Sequence, residues 1–184
     1  CQGDISHKPP IRFNRNMENQ RRYEPQTKNS FFEDQRAMRP LVPGTIPRGG
    51  LKENDHLYKG VVNGTYAATL PMPLTKPLLQ RGQARYNIYC TPCHGGAGFG
   101  DGIIISRGFI PPPSLHDERL ISQPVGYFFF VMGNGIRTMP SYRSQIPVED
   151  RWAIAAYVRA LQLSRRASIS QVPGDVAASK GWKQ

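Results

Sequence analysis

The run Cys90-Thr91-Pro92-Cys93-His94 constrains this chain more than any other feature. Two thiols two residues apart, with an imidazole directly behind, suit four arrangements: a redox pair, part of a metal site, a disulfide, or a haem attachment. A thioredoxin-like pair needs a strand leading into it within a βαβ unit. Here Leu78, Leu79, Gly82, Tyr86 and Tyr89 recur at helical spacing, which predicts a helix over 78–91, and a glycine-rich loop leads out. A structural zinc site needs four ligands, usually as two pairs. The third cysteine is Cys1, at the far terminus, and His7, His56 and His116 make no paired spacing. A disulfide is sterically allowed but leaves His94 and the glycines without a role.

One covalently bound haem c accounts for all of these residues. Thiols one helical turn apart can form thioethers with the two vinyl groups on one porphyrin edge, and the adjacent histidine then lies beneath the iron. Cys90 and Cys93 are therefore the expected thioether residues and His94 the expected proximal iron ligand. A metal-bound imidazole donates its other N–H to a fixed acceptor. The rigid "PPPSLHD" segment supplies carbonyls for this, with Pro113 the expected one. On the opposite face, "GNGIRTMPSY" places Met139 in a loop before Pro140, where its thioether can be held over the haem. Met132 and Met72 are rivals. Met132 lies on an aromatic helix beside Phe128, Phe129 and Phe130 and reads as core. His116 reads as a loop histidine bonded to backbone. Phe128, Phe129, Tyr142 and Trp152 are the expected pocket walls that keep water from the haem. His/Met ligation raises the reduction potential and leaves no open coordination position, which suits electron transfer and not catalysis on its own.

The rest of the chain divides by texture. Residues 1–77 are expected to form an extended arm and linker. The first 40 are polar with no sustained period, and Ile11, Phe13, Tyr23, Phe31 and Phe32 are spaced like anchors that dock on something larger. Residues 41–77 carry Pro43, Pro47, Pro71, Pro73 and Pro77 with "RGG" and "NGT" turn signals, and one short helix is expected near 53–59. The compact domain is expected at 78–164. It holds a second helix over 123–132, stopped by Gly133-Asn134-Gly135, and a long final helix. The final helix starts at Pro147, has Glu149 and Asp150 in its first turn, and ends at Arg165-Arg166, as the helix dipole favours. Ile154, Tyr157, Val158 and Leu161 form its apolar stripe. No segment reads as a convincing strand, so the fold class is all-α. Residues 165–184 are expected to be a tail.

These residues resemble class I cytochromes c over 78–164: a leading helix with Gly82 and Tyr86, CTPCH, "GFGDG", "PPPSL", "GNGIRTMP", and a final helix with Trp152 and Tyr157. The resemblance implies that the first and last helices cross at Gly82 and Tyr86 against Tyr157. It also implies the Pro113 carbonyl acceptor and the Met139 ligand. The whole chain resembles a narrower group, the monohaem cytochrome c subunits of bacterial alternative complex III. Its carriers are Cys1, "MENQRRYEP", "SFFEDQRAMRPLVPGTIPRG", "RGQARYNIYCTPCHG" and "MPSYRSQIPVEDRWAIAAYVRALQLS". That resemblance implies a lipoprotein with N-terminal lipid on Cys1, held at the outer, periplasmic face of a bacterial cell membrane. It further implies partner subunits that include a multihaem cytochrome, with electrons passing onward to a downstream cytochrome or terminal oxidase. A free-standing lipoprotein shuttle and a haem enzyme or ligand sensor with displaceable Met139 are the alternatives.

Charge fits this reading. The net charge is +11, and nucleic acid is the first partner to test for such a value. The basic residues are spread along the chain, however, with only short pairs such as Arg21-Arg22 and Arg165-Arg166, so no nucleic acid is expected. Anionic lipid heads or an acidic protein suit a diffuse positive surface better. No apolar run approaches the ~18 residues of a transmembrane helix. The chain opens on Cys1 and not on Met, which suggests either a shortened chain or a leader removed in front of that cysteine.

Overall fold

The computed structural model describes residues 7–8, 13–14, 16–18 and 20–182. The chain divides into two compact units, residues 1–51 and 52–184. In the first unit a 3-10 turn spans Asn16–Glu18, and Lys28 and Arg36 form an isolated antiparallel bridge. Asn29, the buried residue of that loop, donates its amide to the Gln35 carbonyl at 2.9 Å and accepts from the Phe31 amide at 2.9 Å. Phe32 lies under the Arg39 guanidinium, 4.1 Å from its ring centroid, and Arg39 also pairs with Asp34. Of the expected anchors, Phe13, Tyr23 and Phe31 are exposed, Phe32 is half-buried, and Ile11 lies outside the described residues.

The second unit is helical apart from one small hairpin, in accord with the all-α expectation. Its elements are α1 (Asp55–Lys59), β1 (Val61–Val62), β2 (Thr65–Tyr66), α2 (Lys76–Tyr89), α3 (Thr91–His94), α4 (Glu118–Ile121), α5 (Val125–Asn134), α6 (Val148–Ser164) and α7 (Gly174–Ser179), with 3-10 turns at Ile103–Arg107 and Ile169–Gln171. Among the described residues, no helix is long and apolar enough to cross a membrane.

Helices α2 and α6 make the principal contact. A Cβ at Gly82 would collide with the Ala153 carbonyl, so only glycine allows this approach. One turn on, Tyr86 and Tyr157 meet at 5.4 Å between ring centroids. The crossing expected from the resemblance is present. At the edge of this contact the buried Asp150 carboxylate receives Arg81 and, at 3.0 Å, Arg85. A carboxylate taken out of water is tolerated only with such partners. Ile154 and Val158 of the expected stripe are buried, and Tyr157 and Leu161 half-buried. Trp152, Ala155 and Ala156 are buried as well, because α2 and α5 both pack on α6.

The boundary expected at 77/78 differs from the structure, which divides at 51/52. Residues 52–77 are folded against α5 and α6. Asn54 caps α1 by accepting from Leu57, and Gly60 ends it with φ of 73°. Asn63 and Gly64, both with positive φ, turn the hairpin, and β1 pairs β2 through Val61 with Tyr66 and Val62 with Thr65. Ala67 donates to the Gly60 carbonyl at 2.9 Å and accepts from Gly126 of α5 at 2.8 Å. The Leu57 carbonyl accepts from Trp152 Nε1 at 2.8 Å. These backbone partners fasten a proline-rich stretch that has little apolar pattern of its own.

Candidate haem site

Helix α2 delivers the motif. Cys90 is its C-cap, donating to Tyr86, and at the same residue α3 begins with Pro92 in its first turn, where a missing N–H costs nothing. The Cys93 and His94 amides both bond the Cys90 carbonyl, at 3.1 and 2.8 Å, so the two thiols and the imidazole project from one tight turn. Both cysteines are free thiols, the precursors of thioethers, and they are not joined to each other. Burial, and secondarily the neighbouring Cys93, pushes the Cys90 thiol up to about 12. Burial lowers the His94 pKa and holds the ring neutral, the form that ligates a metal.

The glycine-rich exit closes on this turn. Gly100 donates to the His94 carbonyl at 2.9 Å and Gly102 to the Cys93 carbonyl at 3.1 Å. A Cβ at Gly102 would strike the Pro92 carbonyl, and one at Gly100 the Pro112 carbonyl. Tyr86, fully buried, donates its hydroxyl to the Gly95 carbonyl at 2.9 Å, and burial raises its pKa. His116 Nε2 faces the Ala97 carbonyl at 2.8 Å, which makes that nitrogen the donor and bears out the reading of a backbone-bonded loop histidine.

Pro113 is the expected carbonyl acceptor for His94. His94 Nδ1 is buried and has no hydrogen-bond partner, and Pro113 is exposed. The neighbouring Pro112 carbonyl is the one directed inward, over Gly100.

Met139 lies in a tight loop after α5. Ile136 and Met139 exchange both backbone bonds, at 3.0 and 2.9 Å, around Arg137 in the left-handed region at φ 51°. Gly135 at φ 77° admits the Met139 carbonyl closer than a Cβ would allow. Ser141 Oγ donates to the Gly133 carbonyl at 2.6 Å and the Tyr142 amide to the Met132 carbonyl at 2.9 Å, tying the loop back to α5. Met139 is partly buried against the same core cluster as Cys90, Tyr89 and Tyr142, whereas Met132 is buried within it, as the core reading expected. Met72, the other rival, is also packed against that cluster.

The expected pocket walls separate into two groups. Tyr142 faces the motif: its rings meet Tyr89 at 6.4 Å, and burial followed by the charges of Cys93 and Cys90 raises its pKa. Phe128, Phe129 and Trp152 are engaged with α6 and α1. Phe129 stacks on Trp152 at 4.4 Å and 18°, with the Arg151 guanidinium 4.5 Å from the Phe129 centroid, and Phe128 lies 5.2 Å from Arg159. Trp152 also meets His56 edge-on at 5.7 Å, so its surroundings are the junction of α1, α5 and α6. Cys1 lies outside the described residues.

The donor set fits a haem c. Two unjoined thiols lie one turn apart, a neutral imidazole carries an orphaned buried nitrogen, and a thioether is held in a loop on the same core. Among the described residues no group of three or more His, Cys, Asp or Glu gathers as a metal site. Sequence reasoning passed over the arginine and glutamine contacts that brace the loop after Pro113, described below; a polar pair on a helix face offers no sign of which carbonyls it will meet.

Residues 77–158 match the family model described as cytochrome c oxidase, cbb3-type, subunit III. No curated protein matches the chain. Among solved structures, a chain of the Kuenenia stuttgartiensis reducing HAO-like protein complex is 25% identical with a TM-score of 0.45, and the likeness covers 52% of this chain and 48% of that one. Residues 77–158 thus match a c-type cytochrome domain, which implies electron transfer and a covalently bound haem c.

Proposed function

We propose that this chain is a lipid-anchored electron-transfer subunit of a quinol-oxidising respiratory complex of the alternative complex III type. In this reading Cys90 and Cys93 carry the haem thioethers, and His94 and Met139 are the axial ligands. The haem, when bound, supplies a one-electron couple. The chain's own residues hold both ligands fixed, exclude water from the pocket and present the domain to partners. Cys1 carries the lipid at the periplasmic face. Residues 1–51 dock on neighbouring subunits, among them a multihaem cytochrome, and the electron leaves to a downstream cytochrome or oxidase.

One observation carries the chemical part of the reading. The Met139 loop is cross-bonded to itself and to α5, and Tyr142, three residues on, meets Tyr89 of the helix that leads into CTPCH. A loop fastened in this way keeps its thioether in place in both redox states, which suits a carrier. For the assembly, support comes from the near full-length resemblance and from the exposed Phe13, Tyr23 and Phe31 of the arm.

The test is the visible spectrum of the reduced native protein, alone and under CO, with the near-infrared methionine band recorded on the oxidised form. A c-type spectrum, an intact band and no reaction with CO are expected. Ready CO binding with no band would mean an open iron and would replace the carrier by an enzyme or sensor. Affinity capture of the chain from detergent-solubilised native membranes, followed by haem staining, checks the assembly. A multihaem band should co-purify, and capture of this chain alone would favour a free shuttle.

A further inference from the structure

We propose that Gln162, held by Arg159, is a positioning residue for His94: it sets the loop beneath the proximal ligand and thereby tunes the reduction potential. The proposal rests on the reading of residues 77–158 as a haem domain. It begins from an oddity of α6. Gln162 is 4% exposed, a neutral polar side chain on a helix whose other buried polar residues, Asp150 and Arg151, lie near its start. Burying an amide is unfavourable unless both ends are bonded. Both are: Nε2 donates to the Leu115 carbonyl at 2.7 Å, and Oε1 accepts from Arg159 Nη1 at 2.7 Å.

Arg159 extends the grip. Its Nη1 also donates to the Ile121 carbonyl at 3.0 Å, and Nη2 to the Gln123 carbonyl. Two side chains one turn apart on α6 therefore hold three carbonyls of the segment between the proline run and α5. Burial lowers the Arg159 pKa, and these carbonyl dipoles face its guanidinium. That is an expensive arrangement for surface decoration and a natural one for fixing a backbone.

The held segment in turn holds the haem-binding turn. Leu115 donates its amide to the Gly98 carbonyl at 2.8 Å, and His116 donates to the Ala97 carbonyl at 2.8 Å. Gly98 donates to the Gly95 carbonyl at 3.3 Å, and Gly95 directly follows His94. A path of hydrogen bonds thus runs from Gln162 through Leu115 and Gly98 to the residue behind the ligand. The His94 imidazole stands on this braced backbone. Its orientation is inherited from the backbone beneath it.

The test uses the full-length holoprotein and three variants. Gln162→Glu keeps the acceptor for Arg159 and loses the donor to Leu115; Gln162→Leu loses both. Asp150→Asn, on the same helix but bonded to Arg81 and Arg85, is the stability control. Both Gln162 variants should change the oxidised-to-reduced ratio at fixed potential at least twofold, which is about 18 mV at 59 mV per decade for one electron. They should also displace the His94 ring resonances while keeping the methionine band. Asp150→Asn should lower Tm with the potential unmoved. A parental potential and parental His94 resonances in both Gln162 variants, with Tm lowered as in the control, would overturn the proposal. If neither Gln162 variant takes up haem, amide hydrogen exchange on the unaltered protein decides. The Leu115 amide should exchange as slowly as the buried amides of α6, and rapid exchange would show the loop is not held. Lack of covalent haem in the parent protein would instead defeat the underlying reading.

Discussion

Tyr86 and Gly95 are joined by a 2.9 Å hydrogen bond, from a phenol with no exposed surface to the carbonyl directly behind His94. The donor stands on the helix that leads into CTPCH and the acceptor on the loop that leaves it, so the bond closes the motif on itself. Tyr86→Phe keeps the ring against Tyr157 and strips the donor from a buried carbonyl. A loss of about 1–3 kcal/mol is expected, visible as a lower Tm of the holoprotein with covalent haem still present. An unchanged Tm would show that water or backbone takes over the carbonyl.

Gly82 tests the helix crossing. In Gly82→Ala the added methyl meets the Ala153 carbonyl, which is backbone and cannot rotate away, and the Tyr157 Cβ at 3.0 Å. The helices must separate, and overpacking of this kind costs about 1–3 kcal/mol. Chemical denaturation followed by circular dichroism should show a lower midpoint, although alanine is the better helix former.

Met139→Ala removes the expected distal thioether. The reduction potential should fall, the near-infrared band should vanish, and CO should bind the reduced protein. A parental spectrum would exclude Met139 as the ligand and return attention to Met132 and Met72.

Ser141→Ala cuts the 2.6 Å bond from the hydroxyl to the Gly133 carbonyl that ties the Met139 loop to α5. The change should weaken loop closure by about 1 kcal/mol. On heating, the methionine band should bleach at a lower temperature than in the parent, with the far-ultraviolet transition moving less. Parallel movement of the two would mean the loop has no stability of its own.

Cys1→Ser addresses the anchor. Under the proposed lipidation this variant should move from the membrane to the soluble fraction when the partner subunits are absent. Mass analysis of the parent's first residue should show added acyl mass; an unmodified cysteine there would refute the lipid.

The fold of the half that carries CTPCH was largely legible in its residues because each feature has its own local signature. CTPCH is contiguous, the α6 stripe is periodic, and Gly82 and Tyr86 lie one turn apart. Element ends were less clear. The helix expected over 78–91 spans Lys76–Tyr89, since Thr75 caps it and Cys90 closes it before α3 restarts. The helix expected over 123–132 spans Val125–Asn134, because Pro124 takes the N-cap. The hairpin at Val61–Tyr66 escaped notice because two residues per strand are too few to show alternation. Long-range backbone acceptors left no trace at all. Nothing near Trp152 says that its indole will find the Leu57 carbonyl 95 residues away, and nothing near Pro112 says that its carbonyl will lie against Gly100.

The fastening of residues 52–77 bears on how the cytochrome can be cut or transplanted. A fragment begun at residue 78, where composition changes, would lose the Leu57 oxygen from the Trp152 indole and the Gly60–Ala67 backbone from α5. It would uncover one side of the Phe129–Trp152 stack and take Tyr66 away from Phe130. Such a piece would present sticky aromatic surface and tend to associate. The second compact unit begins at Lys52, and a graft onto another host should bring the short helix and hairpin as part of its wall.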